Sequence, residues 1–448
     1  MNYEKNNMRS AIIAAATGTL LEWYDLFLAV ILAKTLSNQL FPGGESTYFL
    51  ETLAIVGASF FVRPLGSLFF GSLGDRKGRK KSFLLSLLLM GGATFLIGLL
   101  PTFSQIGWFA PILLLLLRLV QGFALSGEYS GAIIYVSENA PADKRGYYTG
   151  FIQSTVPVGL LLSLVVVIGI QSCMSPENFN AWGWRIPFLS SAFLVFFSYF
   201  MRRKMEETPV FTQMKASGNI AKSPIKESLG EVKSWRLMLG IIFGGNAAQS
   251  TIMQTAQFVT LYYLQRAVKV GEYTSYVILA VSLLLGTPFF QWAGAWSDTW
   301  GRKKVIYSGI LLSVISIPLS FYCFKTYGNP DNLTTVHPIS MSVTLLFIGL
   351  CFINMLASAL VYGPMGVYVM EFFEGRTRYT SMGFTHNIGN GVVGGLTPIV
   401  TEFLKTNLIV GVAFAPYVGL LYPMALIIVA LIIHPFLKET AFEKEKIG

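Results

Sequence analysis

The segment GSLGDRKGRKK at residues 71–81 returns in weakened form as GAWSDTWGRKK at 294–304, which sets Asp75 and Asp298 223 positions apart in a chain of 448 residues. Each copy is a basic turn between two long apolar runs, so the chain reads as one unit built twice. A second stretch sharpens the repeat. At an offset of 233, IYVSENAPADKRGYYTGF (134–151) aligns with VYVMEFFEGRTRYTSMGF (367–384), pairing Glu138 with Glu371 and Arg145 with Arg378.

Lipid is the solvent that such runs require. Hydrophobic residues make up 53% of the chain and charged residues 12%, with a mean hydropathy of +0.57, far from a soluble domain. Apolar stretches of roughly 20 residues cross the hydrocarbon core. Counting them predicts helices near 10–36, 50–73, 82–100, 106–136, 146–171 and 184–202, then 235–266, 273–297, 304–324, 339–370, 378–403 and 411–434. The expected fold is all-α and membrane-integral, with twelve spans in two six-helix bundles, residues 1–202 and 235–448. A polar linker over 203–234 joins them, its basic run starting at Arg202. The first apolar run is too long for a cleaved signal.

Short loops rich in Lys and Arg stay on the cytoplasmic side of a membrane. With both termini inside, the inner segments hold 25 of the 33 Lys and Arg residues. The formal charge of +10 is therefore a topology signal, and no nucleic-acid partner is expected. Cys173, Cys323 and Cys351 lack metal-ligand or redox spacing, and no GxxxxGKS phosphate loop is present. Neither metal, cofactor nor enzymatic activity is expected, and uphill work would draw on an ion gradient.

Four segments carry a family resemblance: LLEWYDLFL (20–28), VRPLGSLFFGSLGDRKGRKK (62–81), RLVQGFALSGEYSGA (118–132) and WGWRIPFL (182–189). With the second basic turn they make the chain resemble a major facilitator superfamily transporter of the metabolite:proton symporter branch, which includes bacterial proline/betaine, α-ketoglutarate, citrate and shikimate carriers. The resemblance implies a bacterial inner (plasma) membrane protein that works as a monomer, with both termini cytoplasmic. Where the branch commonly has GGEWGGA, this chain has SGEYSGA, which alters Ser126, Tyr129 and Ser130. Thr299 replaces the first Arg of the second basic turn. The stretch after the last predicted helix is expected to be too short for the coiled coil of osmosensing betaine carriers.

Five charges fall where lipid should forbid them: Glu22 and Asp25 in the first predicted helix, Arg63 in the second, Arg118 and Glu128 in the fourth. Each costs roughly 2.5–3.5 kcal/mol near the bilayer centre, so they must face one another or water. Glu22 and Asp25, three apart, share a helix face, and Arg118, Gln121 and Glu128 lie on a stripe of the fourth helix. Glu22, Asp25 or Glu128 is expected to carry a proton with Arg118 as the modulating partner; a static ion network is the plainer alternative. Arg63 suits a bidentate clamp on a substrate carboxylate, or a brace beside Pro64.

Tyr24, Gln121 and Tyr129 in the first half, and Asn246, Gln249, Asn354, Tyr362, His386 and Asn390 in the second, are the other candidate substrate contacts. Gln254 and Gln257 offer further amides, and Trp23 joins the tyrosines as material for an aromatic cage. No acid lies mid-helix in the second half, so the proton site is expected in the first. Asp75, Arg76, Gly78 and Arg79 resemble the family's cytoplasmic latch, in which the acid approaches a helix N-terminus whose dipole favours negative charge. Asp298 and Arg302 repeat it, and Glu138, Arg145, Glu371 and Arg378 stand at the matching helix ends. The expected function is proton-coupled uptake of a small carboxylate-bearing or zwitterionic solute by alternating access. Proton-coupled efflux of amphipathic compounds is the alternative, and a non-transporting nutrient receptor would need a signalling domain.

Overall fold

The computed structural model describes residues 2–42, 49–203, 205–408 and 414–442, and among these the regular structure is helical apart from one isolated bridge between Val270 and His337. Twelve segments run from end to end. They are α1 (Asn2–Ile31, prolonged by Ala33–Leu40), α2 (Phe49–Lys77), α3 (Arg79–Gly98), α4 (Phe109–Asn139), α5 (Arg145–Ser172) and α6 (Arg185–Arg203). In the second half α7 begins with Val232–Ile241 and ends with Thr260–Arg266, followed by α8 (Glu272–Trp300), α9 (Arg302–Gly328) and α10 (Met341–Glu371). Next, α11 runs from Arg378–His386 to Thr397–Asn407, and α12 is Ala415–Phe436. The predicted start of the last span at 411, the linker's Lys204 and the tail from 443 lie outside the described residues.

Lipid offers backbone groups no partner, so each span must satisfy its own. Seven segments (α3, α4, α5, α8, α9, α10 and α12) are unbroken and apolar enough to cross a bilayer; α1 bends by 62° after Ile31, and α6 by 53° against the short helix before it. Three π-turns loosen the second half, at Ile242–Asn246 and Thr255–Val259 in α7 and at Asn387–Gly394 in α11. Such turns gather at functional sites. Phe61, Leu65, Phe193, Phe196 and Ile315 are exposed on the outside, as lipid-facing residues are.

Two helix pairs join the halves: α5 lies along α8, and α2 along α11. At the first seam a Cβ on Gly146 or Gly294 would stand 2.3 Å from the other's carbonyl oxygen, so this crossing requires glycine. The basic turns obey the same economy. Gly78 and Gly301 have φ of 109° and 100°, a region closed to side chains. Glu207 accepts from the amides of Arg79 and Lys80 at 3.0 and 3.3 Å, and Glu439 from those of Arg302 and Lys303 at 2.8 and 3.1 Å. Each carboxylate caps the helix that its turn begins.

A Cβ at Gly301 would lie 2.4 Å from Glu439 Oε2. Gly301→Ala is therefore expected to cost about 1–3 kcal/mol from backbone strain, with loss of the cap besides. Thermal melting of the detergent-purified protein measures it, and an unchanged midpoint would contradict the need for glycine.

Candidate functional site

The buried charges of the first half form a graded set. Arg118 Nη1 donates to Gln121 Oε1 at 2.7 Å, Gln121 Nε2 donates to Thr94 Oγ1 at 2.6 Å, and Thr94 Oγ1 donates to Asp25 Oδ2 at 2.7 Å. These side chains link α4 through α3 to α1. Glu22, Asp25, Arg118 and Gln121 line one small void with Ser59 and Met90. Both Glu22 oxygens, Asp25 Oδ1, and Nε and Nη2 of Arg118 have no hydrogen-bond partner among the described residues. Unanswered polar atoms of charged groups are costly in a dry interior. Glu128, by contrast, is fully answered: Arg202 of α6 grips it with both terminal nitrogens, and Ser86 donates at 3.1 Å.

A second pocket lies between the halves, lined by Trp23, Phe27, Phe60, Arg63, Val156, Gln254, Gln257, Tyr362 and Asn390. The Arg63 guanidinium carbon sits 4.3 Å from the Phe60 ring centre, leaving Nε and Nη2 without partners among the described residues. Asn390 Nδ2 donates to Tyr362 Oη at 3.3 Å. Leu26, Phe60 and Gln254 also belong to an apolar collar with Val30, Phe258 and Tyr262. Val30 and Tyr262 in turn line a cavity of about 710 Å³ at the end away from the basic turns, where Lys34, Arg266, Glu272 and Glu402 stand. Shared walls therefore connect that vestibule, through the collar, to Arg63 and the carboxyl void beneath it.

The basic end is shut by two crossed caps. Asp75 accepts from the amides of Tyr379 and Thr380 at 3.2 and 2.9 Å and from Thr380 Oγ1 at 2.7 Å, at the N-terminus of α11. Asp298 accepts from the amides of Gly146 and Tyr147, both at 2.8 Å, at the N-terminus of α5. Each half thus caps a helix of the other. Arg79 bonds Asp75 at 2.6 Å and lies 3.7 Å from Glu138, which Arg378 reaches at 3.1 Å. Arg302 bonds Asp298 at 2.5 Å and Glu371 at 3.3 Å. Arg145 and Arg378 are buried and donate to the carbonyls of Ser137 and Phe373.

The chain is similar to known proteins. A family model described as sugar (and other) transporter matches residues 10–234. The chain is 30% identical to the glycine betaine/proline/ectoine/pipecolic acid transporter OusA of Dickeya dadantii, over 98% of this chain and 85% of that protein. It is 33% identical to the shikimate transporter of Escherichia coli, over 89% of this chain and 88% of that one. The chain belongs to the sugar (and other) transporter family. Its fold is that of the major facilitator superfamily, with twelve spans: the proton:xylose symporter XylE, bound to 6-bromo-6-deoxy-D-glucose, superposes with a TM-score of 0.73 at 18% identity, covering 98% of this chain and 97% of that one. The inward open form of XylE gives 0.65 at 19% identity, covering 98% and 99%. This is an integral membrane transporter and not an enzyme.

Several expectations from the sequence change in this transporter. Glu128 does not meet Arg118; its partner is Arg202, which is fully buried in the bundle and not part of the linker. Tyr24 turns away from the central pocket and donates to the Pro187 carbonyl at 3.0 Å, bracing α1 on α6. Asn354 bonds Ser320 at 3.0 Å, tying α10 to α9. Tyr129 and His386 stack at 4.2 Å and line neither pocket, while Gln121 belongs with the carboxyl void. Arg76 is exposed and outside the latch's hydrogen bonds. Glu207 and Glu439 were missed although a signal existed, because the same Glu-Thr pair follows the last helix of each half. Thr208 bonds Glu138, and Thr440 bonds Glu371, both at 2.6 Å.

Arg202→Met strands the Glu128 carboxylate, at about 3–5 kcal/mol for a broken buried pair. That variant is expected to melt far below wild type, and Glu128→Gln/Arg202→Met to recover most of the loss. A single variant as stable as wild type would show that the pair contributes nothing.

Proposed function

We propose that this transporter takes up a small carboxylate-bearing or zwitterionic solute together with protons, by alternating access. The observation that carries this reading is a series of pockets with shared walls that leads from the vestibule to Arg63 and then to Glu22, which has no partner among the described residues, and Asp25, which has one hydroxyl. The basic end, which holds most of the Lys and Arg residues, is cytoplasmic together with both termini, in keeping with the positive-inside rule. The conformation is thus closed inward and accessible outward. Relatives named for proline, betaine and shikimate support a charged organic solute, and a proton:xylose symporter of the same fold supports proton coupling.

Arg63 clamps the carboxylate in two-point fashion, while Trp23, Phe60 and Tyr362 enclose the rest of the solute and Gln254, Gln257 and Asn390 orient it. Asp25 and Glu22 exchange the proton, with Arg118 reaching Asp25 through Gln121 and Thr94. When solute enters, the charge beside these carboxyls changes and so does their hold on a proton. The proton gradient is the sole driver, without metal or cofactor, and a monomer in the bilayer suffices. The bundles 1–202 and 235–448 then rock about the central pocket, and the crossed caps at Asp75 and Asp298 part.

Uptake into proteoliposomes, tested across proline, glycine betaine, α-ketoglutarate, citrate and shikimate, is expected to rise on external acidification. Asp25→Asn should abolish pH-driven accumulation while sparing solute exchange at equal pH. Accumulation indifferent to pH would sink the coupling, and a response confined to hydrophobic cations would make the protein an exporter. Asp75→Asn is expected to lower the maximal rate several-fold with little change in apparent affinity; an unchanged rate would remove the latch.

A further inference from the structure

Two amides in α7 stand out once the pockets are assigned. Asn246 and Gln249 are each 0% exposed; neither polar atom of the Asn246 side chain has a hydrogen-bond partner among the described residues, and those of Gln249 make no well-formed bond, with only the Tyr129 hydroxyl in reach. An interior normally answers such atoms, because a buried amide without a partner forfeits its hydration for nothing. The two side chains, three residues apart, share one helix face. Their place along α7 is equally specific. Ser250 is the innermost residue of α7 in the central pocket, and at 1.5 Å per residue Gln249 and Asn246 lie about 1.5 and 6 Å deeper towards the basic end. They adjoin the π-turn Ile242–Asn246, and Asn246 packs against Gly389 of α11, where an added Cβ would come within 2.6 Å of its own.

An aromatic plate adjoins them. Tyr129 of α4 stacks on His386 of α11 at 4.2 Å and exchanges hydrogen bonds with Gln153 of α5. Tyr129 interacts with Tyr362, in the pocket wall, and its hydroxyl comes within hydrogen-bonding reach of the Gln249 side chain. Three helices from the two halves thus meet beside the amides.

We propose that Asn246 and Gln249 form an inner subsite, closed in this conformation and opened when the crossed caps part, that receives the solute on its way to the cytoplasmic side. The reading rests on the transport function above and adds a station to it. The two NH2 groups donate to the solute's carboxylate and the two amide oxygens accept from an N–H or O–H elsewhere on it, so the subsite suits carboxylate-bearing solutes that also carry a hydrogen-bond donor. The amides stay poorly satisfied while the inner end is shut, which biases the closed state towards opening.

Apolar isosteres test this in the full-length protein. Gln249→Met and Asn246→Leu are expected to raise the thermal midpoint by several degrees, because they remove stranded polar atoms from the closed state. In proteoliposomes they should cut the maximal flux of whichever of proline, shikimate and α-ketoglutarate the wild type carries by about tenfold, leaving binding from the vestibule side unchanged. Gln249→Asn, which keeps an amide, should retain part of the flux. A midpoint at or below wild type in both isosteres, and in Gln249→Ala and Asn246→Ala, overturns the proposal, as does flux at the wild-type rate. Loss of acid-stimulated accumulation in the wild type would instead strike the coupling reading, since melting is measured without solute or gradient.

Discussion

A carboxylate seated on the N-terminus of a helix from the opposite half is the contact on which this conformation depends. Asp75 caps α11 and Asp298 caps α5, so the same device is used twice, in mirror roles, by the two copies of the basic turn. Everything at the basic end follows. Arg79 and Arg302 fold back onto those acids, Glu207 and Glu439 cap the helices that begin there, and the voids are left on the far side. Neither half can close that end alone, because each supplies the acid and borrows the helix.

Further in, the first half sorts its carboxyls by how well they are answered. Glu128 has a guanidinium and a hydroxyl and behaves as a fixed joint between α4, α3 and α6. Asp25 has one hydroxyl, with Arg118 two residues removed along a hydrogen-bonded chain. Glu22 has no partner among the described residues. The two acids that line the void are the less satisfied, which is the order expected if they must change charge and Glu128 must not. The second half contributes amides and rings to the pocket and carries its π-turns on α7 and α11, two of the helices that line the pocket with Arg63.

The twelve spans were legible because an apolar run of the right length has one stable answer in lipid, and the duplicated turn announced the symmetry. Side-chain pairing was less so. Arg202 ends a predicted helix beside Arg203 and reads as a cytoplasmic anchor, yet its long stem carries the guanidinium back into the bundle to Glu128. Tyr24 sits between Trp23 and Asp25 in sequence but points to α6, because successive helix residues are turned about 100° apart. The bend after Ile31 and the π-turns leave no mark in an apolar composition. The paired Glu-Thr after each half was visible, but its meaning lay in a fold that brings it beneath the basic turn.

Magnitudes explain why such a closure can open. A charge at a helix terminus contributes about 0.3–1 kcal/mol, rising to about 2 when partly buried, so the two crossed caps together hold a few kcal/mol. A pH difference of one unit supplies about 1.4 kcal/mol per proton, and 100 mV about 2.3. Closure and driving force are of one size. Had the caps been exposed ion pairs, salt would screen the contact. Buried carboxylates on borrowed helix ends escape that screening, at a strength that single protons can match.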